Sequence, residues 1–362
     1  MKLKKRGFDQ KTKSNVSDGS EIRLGSIVWT GILLLILSVI LAISLGAVWV
    51  SPLSIIRSIL FQFGLPVAKP DDAEQTIILL IRMPRVMAAV LAGAGLAVSG
   101  TVMQGVFRNP LAEPGILGVS AGSSFGALLA IVGGLSSFFT LPIFAFAGAM
   151  VAVLLIIGIS MSSGGHSRTM TLIMSGMAVS ALFSALTSLT LCMANEYQVS
   201  SYIFWTMGGL ANRRWEHVLA ILPPVLMTLF VIIIKARDLD VLLLGDEEAR
   251  ALGVPPALTR MLMILLASIC TGAIVSITGP IGFVGLIIPH IMRFLVGPAH
   301  RTLAVASAFG GAIFLVFCDL LVRLFSWPTG AEISVGIVTA LIGAPYFLFL
   351  LFRSARKGEH LV

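Results

Sequence analysis

The sequence predicts an all-α polytopic membrane protein with about ten transmembrane helices, and three observations lead to this fold class. Of the 362 residues, 57% are hydrophobic and 12% are charged, whereas ordinary soluble domains contain about 25% charged residues. The apolar residues form separate runs, most of them long enough to cross a lipid bilayer. Many of the 36 glycines lie within these runs, where small residues allow membrane helices to approach each other closely.

The first predicted span follows a basic tail, residues 1–25, which we expect to be cytoplasmic. A signal peptide has an apolar core of about 7–15 residues. The run at 26–50 is longer, so we expect it to be retained as a span. Nine further spans are expected, at 86–106, 115–135, 141–160, 170–193, 218–234, 261–277, 281–296, 303–325 and 333–352. The transmembrane domain therefore covers residues 26–352, and residues 353–362 form a second cytoplasmic tail.

The distribution of lysine and arginine predicts the orientation of these spans. With the amino terminus inside, 18 of the 25 basic residues fall in inner segments and 7 fall in outer segments. Cytoplasmic segments of membrane proteins carry this excess, so both termini are expected to be cytoplasmic. Because the basic residues cluster between apolar runs, the net charge of +8 does not indicate a nucleic-acid partner.

Two segments outside the spans are expected to form helices. Ser51-Pro52 is typical of a helix start and precedes an apolar face, which predicts a short helix on the outer surface. The longest inner loop, 236–259, contains three consecutive acidic residues that suit the first turn of a helix. Gly253 suits the position after its last turn, and Pro255-Pro256 prevents continuation. This second helix either rests on its own bundle or docks a cytoplasmic subunit.

Two further patches, 104–118 and 279–290, contain prolines and several glycines and are too irregular for plain spans. Broken backbone at membrane depth requires protein or a water-filled cavity to satisfy its polar groups. The patches occupy corresponding positions in the two halves of the chain. Paired interruptions of this kind indicate an internal repeat with the transport pathway between its halves.

The chemistry that the sequence lacks narrows the function. No glycine is followed by lysine, so there is no phosphate-binding loop of the Gly-Lys-Ser/Thr type, and we expect neither ATP hydrolysis by this chain nor catalytic residues. Glu113, Asp319 and Glu332 lie near span ends, whereas ion-coupled transporters need ionisable groups deep in the membrane. An ion-coupled secondary transporter remains the alternative. A membrane enzyme acting on lipids would need a polar catalytic cluster, which we do not find.

No metal site is expected. The three cysteines, Cys192, Cys270 and Cys318, lie in apolar runs without paired spacing and are interpreted as small buried hydrophobic residues. His290 lies near the inner end of a span beside Arg293, a position at which histidine is usually structural.

Five motifs resemble those of the FecCD family, the membrane permeases of type II ABC importers for iron-siderophores, haem and cobalamin. They lie, in the family's order, at 80–85, 108–115, 244–253, 282–293 and 336–345. The resemblance covers nearly the whole chain beyond Leu24. It implies a type II ABC importer permease bundle in the cytoplasmic (inner) membrane of a bacterium or archaeon. The implied substrate is a metal chelate, with a ferric siderophore as the first expectation and haem or cobalamin next.

The resemblance also implies partners and site residues. The partners would be a second permease subunit in a homodimer, two ATP-binding subunits below and an extracytoplasmic binding protein above. ATP and Mg would be bound by the ATPase subunits, and this chain would bind no cofactor. The residues implied to form the ATPase coupling helix are Gly245, Asp246, Glu247, Ala249, Arg250, Leu252 and Gly253.

Two smaller groups of site residues follow from the same resemblance. Asn109, Leu111 and Thr169 would close the cytoplasmic gate, although Arg168 departs from the small polar residue common at that loop. Arg82, Arg85 and Arg323 would be exposed on the outer face and receive acidic residues of the binding protein. Structural roles are the alternatives. Asn109 could cap the broken helix beside Pro110, and Arg323, four residues after Asp319, could neutralise that carboxylate.

Overall fold

The computed structural model describes residues 11–46, 48–68, 70–162, 168–329 and 333–357, and within these ranges every regular element is helical. A π-helical stretch (Ile77–Arg82) leads into α4, and a 3-10 turn (Pro114–Leu117) leads into α5. The α-helices are α1 (Lys11–Ser44), α2 (Pro52–Gln62), α3 (Asp72–Thr76), α4 (Met83–Phe107), α5 (Val119–Val132), α6 (Thr140–Ser162), α7 (Arg168–Met193), α8 (Glu196–Thr206), α9 (Trp215–Leu242), α10 (Asp246–Ala251), α11 (Pro256–Thr278), α12 (Val284–Val296), α13 (His300–Thr329) and α14 (Val335–Lys357).

The ten predicted spans each correspond to a helix, but two of these helices are short. In the described part of the chain, eight helices are long and apolar enough to cross a membrane, whereas α5 has 14 residues and α12 has 13. At 1.5 Å per residue the short helices are about 20 Å long, against about 30 Å for the bilayer core. Each follows one of the irregular patches, and its start is displaced by a left-handed residue, Gly118 before α5 and Phe283 before α12.

Several predicted boundaries were wrong. The first span ends at Ser44 and not at residue 50, and α1 already begins at Lys11, inside the predicted tail. Arg82 explains the early end, since its guanidinium donates hydrogen bonds to the carbonyls of Ile43 (2.5 Å), Ser44 (3.2 Å) and Val48 (2.5 Å). These bonds satisfy carbonyls that are left without helical partners. Helix α9 also continues into the predicted inner loop, to Leu242.

The short helix α2 forms as predicted at its start. The Ser51 hydroxyl accepts a hydrogen bond from the Ser54 amide at 3.0 Å, and Pro52 occupies the first turn. The expected apolar face is buried only in part, because Ile55 is buried while Ile56 and Phe63 are exposed.

Helix α4 is the centre of the bundle and packs against α9, α11, α12 and α13. Two glycine pairs permit the closest approaches. A Cβ on Gly93 would clash with the carbonyl of Gly311 on α13, and one on Gly100 would clash with the carbonyl of Gly285 on α12. Backbone-to-backbone contact through small residues is how membrane helices gain packing energy without a hydrophobic driving force between them.

The connections gather alternately at two opposite ends of the bundle. At one end, which we call the Arg82 end, the Gly209 amide donates to Thr278 O (2.7 Å) and the Gly336 amide donates to Gly208 O (3.1 Å). At the other, the Asp246 end, α10 and the connections that follow α4 and α12 lie together. Segments predicted to share a side of the membrane are therefore brought together by the fold.

Candidate functional sites

The acidic loop helix at the Asp246 end forms as predicted. Helix α10 spans Asp246–Ala251, Gly245 lies at its N-cap with φ 139°, and Gly253 follows its end with φ 81°. Both glycines occupy backbone conformations that residues with a Cβ rarely adopt. Pro255 caps the next helix, so the chain turns where the two prolines predicted a break.

Asp246 anchors α10 to the bundle through two arginines. Its carboxylate accepts hydrogen bonds from Arg260 Nη1 (2.8 Å) and Nη2 (2.5 Å) on α11, and from Arg108 Nη2 (2.9 Å) just after α4. The hydrogen bonds from Arg260, followed by the positive charges of both arginines, hold the pKa of Asp246 below its ordinary value, against the opposing effect of burial. The loop helix is thus tied to the segment that contains the predicted gate.

The remaining predicted coupling residues divide into buried and exposed groups. Ala249 is fully buried against the bundle, whereas Glu247 and Arg250 are exposed. Leu252 is 55% exposed and Leu244, just before the helix, is 62% exposed. The helix therefore uses one face to rest on its own bundle and leaves charged and apolar side chains open at the end of the molecule.

The predicted gate residues lie in the turn after α4. Arg108 adopts a left-handed conformation (φ 50°) and ends the helix. The Asn109 side-chain oxygen accepts a hydrogen bond from the Leu111 amide at 2.9 Å, and the Ala112 amide donates to Asn109 O. Asn109 therefore forms a local turn, whereas the alternative was that it caps the broken helix beside Pro110. Thr169 lies in the first turn of α7, but its side chain is outside the described residues, and the gate role stays a prediction.

At the Arg82 end, the expectation of three exposed arginines was wrong for Arg82. Its side chain is buried, with 8% of the residue exposed, because it caps the end of α1. The residues that bury Arg82 are distant in sequence, so the local motif could not predict this burial.

Arg85 and Arg323 share one carboxylate. Arg85 Nε lies 2.8 Å from Asp319 Oδ1, and Arg323 Nε lies 3.1 Å from Asp319 Oδ2. The Asp319 side chain is 1% exposed, and those of Arg85 and Arg323 are 20% and 12% exposed. Arg323 also donates to Leu45 O at 3.2 Å. The neutralising contact proposed as the alternative for Arg323 is present, and docking of a binding protein stays a prediction.

The sequence reading missed three polar contacts that the fold creates. His300, buried at the start of α13, contacts the Asp240 carboxylate through Nδ1 (2.6 Å) and its amide (3.0 Å). Gln104 on α4 joins the Leu286 carbonyl to Arg293 on α12. The third is the attachment of Asp246 to Arg108 and Arg260. The partners in each contact are far apart in the sequence, so no local pattern could reveal the contacts.

Within the described ranges, no group of three or more His, Cys, Asp or Glu residues is placed to hold a metal ion. His290 instead packs edge-to-face on Phe294, with ring centroids 5.0 Å apart.

Among the described residues, a bundle of ten apolar helices with a charged loop helix at one end defines a multi-pass membrane protein. The sequence profile of the FecCD transport family matches residues 34–353. The chain therefore belongs to the FecCD family.

Two relatives and one solved structure support this assignment. The chain is 44% identical to the cobalamin import system permease protein BtuC of Halobacterium salinarum, over 80% of this chain and 76% of the relative. It is 41% identical to the iron(3+)-hydroxamate import system permease protein FhuB of Bacillus subtilis, over 91% of this chain and 83% of the relative. A solved structure described as an inward-facing conformation of a metal-chelate type ABC transporter matches with a TM-score of 0.79 at 36% identity, covering 91% of this chain and 99% of that chain.

Proposed function

We propose that this permease moves a ferric siderophore across the cytoplasmic membrane, delivered by an extracytoplasmic binding protein. The similarity to a ferric hydroxamate permease over 91% of the chain supports this substrate class. Cobalamin is the second candidate, favoured by the 44% identity to a cobalamin permease, and haem is the third. Uptake of each labelled chelate by proteoliposomes, with its matching binding protein, would decide among the three.

The proposal that ATP hydrolysis by a partner powers this transport depends on α10. A six-residue helix with Glu247, Glu248 and Arg250 exposed, and with Leu252 exposed beyond its last turn, lies outside the spans. Asp246 fixes it to the bundle from behind. A fixed, mixed apolar and charged surface at the membrane boundary suits the groove of an ATP-binding subunit, which would hold the ATP and Mg.

We infer that the permease acts as a homodimer with α7 at the interface. The exposed face of α7 carries Ser184, Ser188 and Cys192, together with Met170, Met174 and Met177. Cys192 was expected to be buried but is exposed, unlike Cys270 and Cys318. Small and hydroxyl-bearing residues are enriched where membrane helices contact each other. Cross-linking through Cys192, with Cys192→Ser as the control, tests this arrangement.

The outer docking surface is proposed to lie around Arg85 and Arg323. Two guanidiniums share the single Asp319 carboxylate, which leaves a positive charge for an acidic partner. Charged groups at the edge of an interface mainly set the association rate. Arg82 is left out of this surface, because its guanidinium is committed to the end of α1.

The deciding experiment reconstitutes the permease with the ATP-binding subunits and a binding protein. We expect uptake to require ATP on the side of the ATPase and to be insensitive to a protonophore. Uptake by the permease alone, driven by a proton gradient, would instead establish the ion-coupled alternative. The permease purified without partners should show no ATPase activity.

A further inference from the structure

A cavity of about 230 Å³ at the Arg82 end is lined by several hydrogen-bond donors, of which the transport proposal uses only Arg85. It lies between the start of α4, the end of α8, the segment 207–214, the end of α11 and the segment before α14. The polar residues in its wall are Arg85, Arg213, Trp205, Thr278 and Ser334. Glycines hold the segments together here, since Gly208 (φ 67°) and Gly279 (φ 69°) lie against neighbouring backbone.

Two buried donors in this wall have no partner in the part of the chain that the structure describes. They are the Trp205 indole Nε1 and the Arg213 Nε. Arg213 makes one long hydrogen bond, from Nη2 to Gly209 O at 3.4 Å. Buried donors are nearly always paired, and one left without an acceptor destabilises the protein. The cavity therefore lacks an acceptor that could satisfy both groups.

The excess of positive charge around the cavity also favours an anionic ligand. Arg82, Arg85, Arg213 and Arg323 gather at this end, and among the described residues Asp319 is the one carboxylate within 4 Å of any of them. Burial, and then the charge of Arg85, lowers the pKa of Arg213 to about 10. Arg213 still carries its charge at neutral pH. An anion in the cavity would offset a cation that the protein leaves unpaired.

The size of the cavity limits the ligand. Sites for drug-sized molecules usually measure about 300–1,000 Å³, so a volume of about 230 Å³ is too small for a whole chelate. It suits a small anion whose oxygens accept hydrogen bonds from the guanidinium and indole donors in the cavity wall.

We propose that this cavity binds a small oxyanion, a carboxylate or a phosphate, held by Arg213 and Trp205 with Arg85 supplying additional charge. The proposal does not depend on which substrate is transported. It adds to the permease an anion site separate from α10 and from the gate turn. Binding of the anion would tie α8 and the segment 207–214 to the ends of α11 and α14.

The test measures anion binding to the purified full-length permease in detergent, by calorimetry and by thermal unfolding. Acetate, phosphate and chloride are compared at equal ionic strength. We expect acetate or phosphate, but not chloride, to raise the unfolding temperature with increasing concentration, because a ligand of the native state stabilises by mass action. Which of the two oxyanions binds more tightly identifies the natural class.

Two variants and one control locate the site. Arg213→Gln should weaken binding at least tenfold. Trp205→Phe, which keeps the ring and most of the volume, should weaken it several-fold. Arg57→Gln, an exposed arginine on α2, removes the same charge and should bind like the wild type. If Arg213→Gln does not yield folded protein, Trp205→Phe and the control decide the question.

Three results would overturn the proposal. The first is equal stabilisation by chloride, and the second is unchanged affinity in Trp205→Phe or Arg213→Gln. The third concerns Glu332, which immediately precedes Ile333 in the cavity wall in sequence. If oxyanions bind to Glu332→Gln but not to the wild type, the chain supplies its own carboxylate and the site takes no ligand.

Discussion

Replacing Asp246 by asparagine should loosen α10 without unfolding the bundle. The carboxylate accepts three hydrogen bonds from Arg260 and Arg108 and is 40% exposed. Hydrogen bonds to charged groups contribute about 1.5–3 kcal/mol when buried, whereas exposed ion pairs contribute about 0.2–1 kcal/mol. Because of solvent screening we expect a loss of about 1–2 kcal/mol, which is about a 5–30-fold increase in the open population of this helix.

Hydrogen exchange of peptides covering residues 244–254 measures this effect directly. A six-residue helix has few internal hydrogen bonds, so its protection should report the anchor. The matched control is Glu247→Gln, which removes the same charge from the same turn at an exposed position. In reconstituted complexes, Asp246→Asn should also reduce the coupling of ATP hydrolysis to uptake, while Glu247→Gln should have a smaller effect.

The same anchor predicts a pH dependence of known sign. The pKa of Asp246 is lowered in the folded protein from the ordinary value of 3.8. A lowered carboxylate pKa contributes stability above the unfolded-state value, and this stability is lost as the pH falls through the folded-state value. Protection of α10 should therefore decrease below about pH 4 in the wild type and not in Asp246→Asn. Identical exchange in the two proteins at neutral pH would refute the anchoring role.

Three further substitutions test other contacts. Gly93→Ala should destabilise the bundle by about 1–3 kcal/mol through overpacking. The control Gly158→Ala, which has open space around its Cβ, should be neutral or slightly stabilising. Equal thermal stabilities of the two variants would contradict the α4–α13 contact. Arg82→Met should cost about 2–4 kcal/mol, because the Ile43 and Val48 carbonyls lose the guanidinium donor, whereas the Ser44 carbonyl keeps the Val50 amide. Arg57→Met should cost less than about 0.5 kcal/mol in the same unfolding assay. Leu252→Asp should leave the permease folded, since this side chain is 55% exposed, but it should abolish co-purification with the ATP-binding subunits. If co-purification is retained, α10 is not the contact for the ATP-binding subunits.

The local features of this fold were predictable from local sequence. Gly253 and Pro255-Pro256 end α10 because of backbone restrictions that each residue imposes on itself and its neighbours. The apolar runs predicted the positions of the spans for a similar reason. A helix in lipid satisfies its backbone hydrogen bonds within its own segment, so the local sequence is sufficient to identify it. Even the two short helices follow patches whose glycines and prolines were visible.

The environments of the arginines could not be predicted in this way. Arg82 binds carbonyls 34 to 39 residues away, and Arg85 pairs with Asp319 across 234 residues. Only the i,i+4 relation of Asp319 and Arg323 could be seen in the sequence. The positive-inside count gave these arginines a side of the membrane but gave no information on their burial. The cavity beside Arg213 is built from five separate segments and has no signature in any of them.

The central position of α4 determines the order in which this protein can be assembled. During synthesis α4 emerges early, but the helices that surround it, α9, α11, α12 and α13, are all made later. Its second half contains Ser99, Thr101 and Gln104, which are buried in the finished bundle and would lack these neighbours until the later helices are inserted. We therefore expect α4 to be incompletely packed until the later helices are inserted. Chains truncated before α13 should then be the ones that quality-control proteases remove, whatever the condition of their early spans.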